Sequence, residues 1–325
     1  MALTTLATLP PAVNQIFDRL LLMIARPYLI YNKFAVKKAL PQNSGRQMVH
    51  RRYLRLSNAT TPVASGDLIS EVAAQAVDIT TQIQFYGALT KYDNQMQMLI
   101  NDPILNSFTE LLGIQMGTTL DALTRDVLAA TSNVTNCSNG VNGNTPTELT
   151  RADIDTAMVT LDTNDALMIT EYIEGVMKFG TQPVRSAFFG FLNSAIITDL
   201  QNCDGFISVA NYPVRDGLDA EWGSVGNVRW LRSSQGSVQT NVTPNIYNNI
   251  IVGREAYMCM HLSGRDAVND SQGNIAQNGS IIVKPLGSAG ALDPANQFGT
   301  VSFSVFYAAR ILNDAFLTNL RSTAA

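Results

Sequence analysis

The chain has 325 residues, of which 46% are hydrophobic and 15% are charged. This composition provides enough apolar side chains for a substantial core and excludes a disordered chain. The charged fraction is well below the roughly 25% of ordinary soluble domains, so we expect partners to cover part of the surface. In the amino-terminal part, the longest unbroken apolar run, residues 20–25, is too short for a membrane span or a signal-peptide core, and no membrane partner is predicted.

Charge is distributed unevenly along the chain. Nine of the 22 lysines and arginines lie between Arg19 and Gly66, where there is no Asp or Glu, which leaves 13 basic against 26 acidic residues elsewhere. Residues 1–33, interrupted at Pro10-Pro11, predict an arm rather than a compact unit. Together these features favour a basic arm that lies on an acidic surface of its own body or of a neighbour, or that touches nucleic acid. A solvated basic loop remains the alternative.

Two strand patterns follow the arm. Residues 46–56 place arginines on both faces, whereas residues 77–85 alternate cleanly between apolar and polar. The segment between them, Ser57–Ala74, contains Pro62 and Gly66 and predicts a polar tip. A ribbon that is polar on both faces predicts a hairpin projecting from the core, and such a hairpin needs another subunit to stabilise it.

The clearest helix begins at Asp102-Pro103, where Asp suits the N-cap and Pro the first helical position, and continues to Thr131. At 1.5 Å per residue this helix would be on the order of 40 Å long. Residues 132–147 predict a loop, and Thr150 begins a second helix with a capping-box pattern. From residue 186 to residue 282, short apolar runs alternate with Gly, Asn and Ser clusters, which is typical of a mixed α+β unit.

Cysteine and histidine offer little chemistry. Cys137, Cys203 and Cys259 are widely spaced and include no Cys-x-x-Cys pair, so neither a disulfide framework nor a zinc site is predicted, and a reducing compartment is expected. The two histidines are His50 and His261. Cys259 and His261 would share a strand face, as a nucleophile pair or half of a metal site would, but packing at the edge of a core strand is the simpler interpretation.

Carboxylates near Trp222 provide a second candidate site. Asp216, Asp219 and Glu221 cluster there, and paired carboxylates could serve glycoside hydrolysis or bind a cation. An acidic loop flanked by Pro and Gly is more often simply solvated, and no nucleotide-binding loop occurs in its required context. We therefore predict no catalytic residue, no metal site and no cofactor, and we favour a structural role.

Three further segments carry a shared pattern. The first runs from Tyr31 to Gly66, the second from Glu221 to Trp230 with an E-x-G-x-x-x-x-x-R spacing, and the third from Ile282 to Pro294 with Pro, Gly and Asp at fixed offsets. In this order they resemble segments of the major capsid proteins of N4-like tailed phages. The residues that carry the second and third segments are Trp222, Gly223, Gly226, Arg229, Lys284, Pro285, Gly287, Gly290, Asp293 and Pro294.

The resemblance implies the HK97-like capsid fold, which is an α+β architecture with an extended β-hairpin loop. The implied parts are an N-terminal arm over 1–33, an extended loop over 34–101, a peripheral domain over 102–185 with a spine helix over 102–131, an axial domain over 186–280, and a return to the peripheral domain over 281–325, including the strand Val301–Ala308. Some proteins of this fold crosslink through a loop lysine, but the tip of this loop contains none, so no crosslink is expected.

The resemblance also implies a non-enzymatic subunit that self-assembles into the icosahedral shell around the double-stranded DNA of a tailed phage. Expected partners are further copies in pentamers and hexamers, portal, scaffold or decoration proteins, and packaged DNA held without sequence readout. The expected location is the virion, after synthesis in the host cytoplasm. An encapsulin-like compartment of the same fold and a soluble hydrolase using the loop near Trp222 are the alternatives. The residues expected to contact another subunit are Arg46, Arg51, Arg52, Arg55, Pro62 and Gly66.

Overall fold

The computed structural model describes residues 30–41, 43–66, 68–69, 71–99, 104–174, 180–212, 217–218, 220–262, 279–287 and 293–324. Two large β-sheets, one small sheet and one long helix organise these residues, and this confirms the predicted α+β class. One hydrophobic core lies between the long helix, the first large sheet and one face of the second, and another core lies on the opposite face of the second sheet.

The strands are β1 (Val36–Leu40), β2 (Gln47–Tyr53), β3 (Ala76–Gln82), β4 (Gln84–Asp93), β5 (Val134–Asn136), β6 (Ile169–Glu174), β7 (Gly180–Asn193), β8 (Phe206–Ser208), β9 (Glu221–Val225), β10 (Val228–Ser233), β11 (Val238–Gln239), β12 (Ile246–Val252), β13 (Tyr257–Leu262), β14 (Gly279–Lys284), β15 (Phe298–Ile311) and β16 (Leu317–Ser322). The helices are α1 (Asn94–Leu99), α2 (Ile104–Ala129), α3 (Arg151–Thr163) and α4 (Ile197–Asn202), with 3₁₀ turns at Ser194–Ile196, Val209–Asn211 and Asp314–Phe316.

Sheet 1 is built around the long strand β15. One edge of β15 pairs with β14 and β13, the other edge pairs with β4, and β1 lies parallel to β13 on its far side. From Gly299 to Tyr307 every second residue of β15 is buried, including Val301, Phe303 and Val305. This alternation is the one that the sequence predicts over Val301–Ala308, because side chains of a strand point to opposite faces in turn.

Helix α2 covers the buried face of sheet 1. Leu112, Leu120 and Leu128 are buried on its inner side, and with 26 residues the helix is about 39 Å long. It corresponds to the long helix predicted from the apolar spacing. The predicted start at Asp102-Pro103 lies outside the described residues.

The central part of sheet 2 is buried on both faces. Its main order is β5-β16-β12-β7-β10-β9-β8, with β6 paired to β7 and β11 to β12. In β7, Phe189 and Phe191 enter the core shared with sheet 1, whereas Phe188 and Leu192 enter the core under α3 and α4. Such an unbroken buried run is typical of a strand that is covered on both sides. The expected limit between the peripheral and axial domains, at residue 185, falls inside strand β7. The domain limits drawn from the sequence stay predictions.

A separate two-stranded sheet, β2 with β3, forms the predicted hairpin. The sequence predicts one continuous strand over residues 77–85, but the structure divides it at Ile83 into β3 and β4. Ile83 is buried in a small cluster with Leu40 and Met260, and its N–H donates to the Arg46 carbonyl at 3.0 Å. The division arises because the chain leaves the hairpin at this point and joins the edge of sheet 1.

Candidate assembly surface

The hairpin β2–β3 is exposed or only partly covered over most of its length, and Thr81 near its base is buried. Its register pairs His50 with Ile79 and Arg51 with Asp78, so successive residues face opposite sides. On β2 one side is fully exposed and the other only partly covered. A core strand would show one buried side. The hairpin therefore projects from the body, as the arginines on both faces predict.

The tip of the hairpin carries exposed apolar side chains. Leu68 and Ile69 are 95% and 80% exposed, and Val63 and Val72 are exposed as well, as is Leu56 just before the tip. The sequence interpretation of this segment as a polar tip missed them, although the apolar residues among its Ser, Gly and Ala could have been noticed. A concentration of exposed apolar residues marks an interaction surface.

The four predicted contact arginines have different surroundings. Arg51 forms a bidentate pair across the hairpin with Asp78, at 2.7 Å from Nε and 2.9 Å from Nη2. Arg55 pairs with Asp165, which follows helix α3 in the same chain. Arg46 is exposed just before β2, and Arg52 is partly covered on the hairpin face opposite Arg51.

Pro62 and Gly66 lie in the exposed tip between the two strands. Gly66 has a φ of +99°, a backbone conformation that side chains disfavour, and nothing would lie within 4 Å of an added Cβ. The glycine therefore serves the turn of the tip rather than close packing. Both residues remain predicted subunit contacts.

The second family-like segment forms the hairpin β9–β10, with Gly226 at its turn in a left-handed conformation, φ +60°. Here Glu221 and Arg229 form a buried bidentate ion pair, at 2.8 Å from Nε and 2.6 Å from Nη2. Glu221 also accepts hydrogen bonds from the Tyr212 hydroxyl and the Leu218 N–H, at 2.8 and 2.9 Å. The E-x-G-x-x-x-x-x-R spacing thus encodes an internal ion pair.

Two neighbours of that pair have packing roles. A Cβ on Gly223 would lie 2.5 Å from the Phe206 ring and 2.6 Å from the Ile207 carbonyl, so only glycine allows β8 to approach β9. Trp222 is partly buried, and the Arg232 guanidinium lies 5.1 Å from its ring centroid. Both residues therefore contribute to local packing.

The third family-like segment connects β14 to β15. Lys284 pairs with Thr300 at the end of β14, and Pro285 follows it. Gly287 turns the chain with a φ of +82°. Asp293 is buried and accepts a hydrogen bond from the Phe298 N–H at 2.8 Å, which fixes the start of β15. Pro294 lies in the adjacent exposed turn, and Gly290 is outside the described residues.

Neither candidate for chemistry is assembled as an active site within the described chain. Cys259 is buried on β13, an interior strand of sheet 1 rather than an edge strand, and burial raises the pKa of its thiol to about 11. A reactive cysteine needs the opposite shift. Burial and nearby Lys37 lower the pKa of His261. In the acidic loop, Glu221 is occupied by Arg229, and Asp216 and Asp219 lie outside the described residues.

Solved structures provide an independent comparison. The capsid of Ralstonia phage GP4 is similar to this chain with a TM-score of 0.61 and 10% identity, over 93% of this chain and 91% of that one. The capsid of Helicobacter pylori bacteriophage KHP30 is similar with a TM-score of 0.59 and 11% identity, over 88% of each. The chain has the HK97-like capsid fold. The SrpI encapsulin of Synechococcus elongatus shares this capsid fold, with a TM-score of 0.54 and 8% identity, over 100% of this chain and 97% of that one.

Sequence comparison adds no further relative, since no protein family and no curated protein matches the chain. Helices long and apolar enough to cross a membrane are absent from the described ranges. The same ranges contain no group of three or more His, Cys, Asp or Glu residues placed to hold a metal ion.

Proposed function

We propose that this chain is the major capsid protein of a tailed bacteriophage, and that its copies assemble into an icosahedral shell around double-stranded DNA. The observation that carries the proposal is the exposed apolar tip of a projecting hairpin on the capsid fold. The likeness to phage capsids over about nine-tenths of the chain supports it. The virion is then the place of action, the host cytoplasm the place of synthesis, and N4-like phages the proposed source.

The tip docks on an adjacent copy. Leu68 and Ile69 are almost fully exposed, and burying one such side chain contributes about 1.5–3 kcal/mol. An isolated two-stranded ribbon is marginally stable in water. A neighbouring subunit that covers the tip therefore stabilises both the contact and the ribbon, and contacts of this kind repeat around pentamers and hexamers.

The arginines orient this contact. A guanidinium group binds a carboxylate with two parallel hydrogen bonds, which fixes direction as well as distance. Arg46 and Arg52 enter the interface from opposite ends of β2, whereas Arg51 enters it already paired with Asp78. Arg55 enters the interface paired with Asp165 of its own chain. The role of this surface is recognition, and we assign no catalytic function to the chain.

An encapsulin-like compartment is the second candidate, favoured by the likeness to the SrpI encapsulin. Both candidates form shells from one subunit but differ in what the shell encloses. A phage capsid encloses nucleic acid with the help of portal and scaffold proteins, whereas an encapsulin encloses a protein. The contents of purified shells therefore discriminate between the two.

The first test is sedimentation and electron microscopy of the chain expressed alone and with its neighbouring genes. Uniform shells or capsomer rings support self-assembly, and nuclease-protected DNA in the shells supports the phage capsid. A persistent monomer in both preparations would refute the proposal. Protein cargo without DNA would favour the compartment.

A paired substitution tests the tip directly. Leu68→Asp with Ile69→Asp should abolish shells and leave the far-ultraviolet circular dichroism and the unfolding transition unchanged, because neither residue packs in the described chain. Val141→Asp is the matched control, since Val141 is also apolar and exposed but lies outside the hairpin. Normal shells from the double variant would remove the tip from the interface.

A further inference from the structure

The segment Ile30–Ala35 contacts sheet 1, sheet 2 and helix α2. Tyr31 and Phe34 pack on Phe191 and Phe189 of sheet 2, with ring centroids 4.7 and 4.1 Å apart. From sheet 1, the Tyr257 hydroxyl donates to the Tyr31 carbonyl at 2.5 Å. The segment therefore contacts sheet 1 and sheet 2 at the same time.

Helix α2 holds the segment through one carboxyl group. Asp121 is 2% exposed, and its Oδ1 accepts hydrogen bonds from the Ile30 and Tyr31 N–H groups, at 2.9 and 2.8 Å. Its other oxygen, Oδ2, is buried without a hydrogen-bond partner among the described residues. A buried carboxylate with one unpaired oxygen is costly, and a neutral carboxyl group in the same place costs less.

We propose that Asp121 makes the attachment of Ile30–Ala35 proton-dependent, so that the protonated carboxyl group holds the segment on helix α2 more tightly than the carboxylate does. Burial raises the pKa of Asp121 to about 7, and this effect outweighs the two N–H donors and the fields of Arg125 and Lys33, which lower it. The proposal concerns the folded subunit and stands independently of the shell.

The tyrosine and cysteine side chains around Asp121 do not ionise near pH 7. Burial raises the pKa of Tyr31, Tyr257 and Tyr307 well above 10 and that of Cys259 to about 11, so all four stay neutral near pH 7. The charged groups that act on the cluster are Lys33 on the segment, Arg125 and Asp126 on helix α2, and Lys37 on β1.

The direction of the pH effect follows from linkage. When the segment is released and water reaches Asp121 on helix α2, its carboxyl group would titrate near the ordinary value of about 4, whereas with the segment attached the pKa of Asp121 is about 7. Attachment therefore takes up a proton between these values. The attachment constant is highest below about pH 4, falls roughly tenfold per pH unit as the pH rises towards 7, and is constant above it.

Hydrogen exchange of the full-length chain, read by mass spectrometry on a peptide that covers residues 30–35, tests this proposal. Relative to a peptide from the buried run 187–192, which corrects for intrinsic exchange and global opening, protection should fall about tenfold per unit from pH 5 to pH 7 and then level off. A flat wild-type profile would overturn the proposal without any variant.

The variant Asp121→Asn tests whether the Asp121 carboxyl group causes the pH dependence of protection. The amide keeps an oxygen that can accept both N–H bonds but does not ionise, so protection of residues 30–35 should lose its pH dependence. Asp126→Asn is the matched control on the same helix, because Asp126 is exposed, and it should retain the wild-type profile. A profile in Asp121→Asn equal to that of the wild type would assign the titration to another group and exclude Asp121.

Discussion

Two hairpins of this subunit each contain a bidentate arginine–carboxylate pair between their strands, in opposite surroundings. In β2–β3, Arg51 binds Asp78 through Nε and Nη2, and in β9–β10, Arg229 binds Glu221 through the same two nitrogens. The side chains of the first pair are 60% and 46% exposed and those of the second 1% and 0%. Similar local chemistry therefore lies on a solvated surface in one hairpin and in a buried core in the other.

The difference teaches that surroundings, rather than geometry, set the energetic importance of an ion pair. In water, screening and side-chain entropy cancel most of the attraction between exposed charges. In the core, removing one partner leaves the other charge buried without compensation. The Arg229 guanidinium also lies 5.3 Å from the Phe189 ring centroid, so its loss would disturb packing as well.

The largest expected effect is that of Arg229→Met. It should lower the free energy of unfolding by about 3–5 kcal/mol, because Glu221 would remain buried with a charge and without its partner. Urea unfolding of the dissociated subunit measures this. Glu221→Leu combined with Arg229→Met should recover much of the loss, since no charge is then buried. Equal losses in the single and double variants would contradict this explanation.

The sequence predicts the elements better than their surroundings. The apolar alternation of Val301–Ala308, the long helix and the projecting hairpin are all visible as patterns, because local periodicity reports which face is covered. The spacing of Glu221 and Arg229 is visible through the family resemblance, but nothing in it says that both side chains are buried. Such burial depends on sheet 2, whose strands come from distant parts of the chain.

The candidate surface was predictable to a similar degree. Arg46, Arg51, Arg52 and Arg55 stand out by their lack of acidic neighbours in sequence, yet Asp78 and Asp165 approach two of them only after the chain folds. Asp121 carries no sequence signal at all. Its environment is created by a segment some ninety residues earlier in the chain.

Two glycine substitutions should lower the free energy of unfolding by smaller amounts, one through overpacking and the other through backbone strain. In sheet 2, a Cβ on Gly190 would lie 2.4 Å from the Trp230 ring, so Gly190→Ala should cost about 1–3 kcal/mol by overpacking. Near the exposed hairpin, Gly45→Ala meets open space but has a φ of +88°, so it should cost about 1 kcal/mol through the backbone alone. Urea midpoints with unchanged slopes check both. A larger loss for Gly45→Ala would reverse the contrast between the two regions.

The smallest effect on stability should come from the exposed pair. Arg51→Asp should lower the unfolding midpoint only slightly, because both partners are solvated. Shell yield should nevertheless fall, because two carboxylates would then repel each other across the hairpin that docks on the neighbour. Arg51→Asp combined with Asp78→Arg restores the pair with its direction reversed. If Arg51 acts by stiffening the hairpin, the swapped variant should assemble into shells again. If Arg51 binds the neighbour directly, the swapped variant should sediment as unassembled subunits.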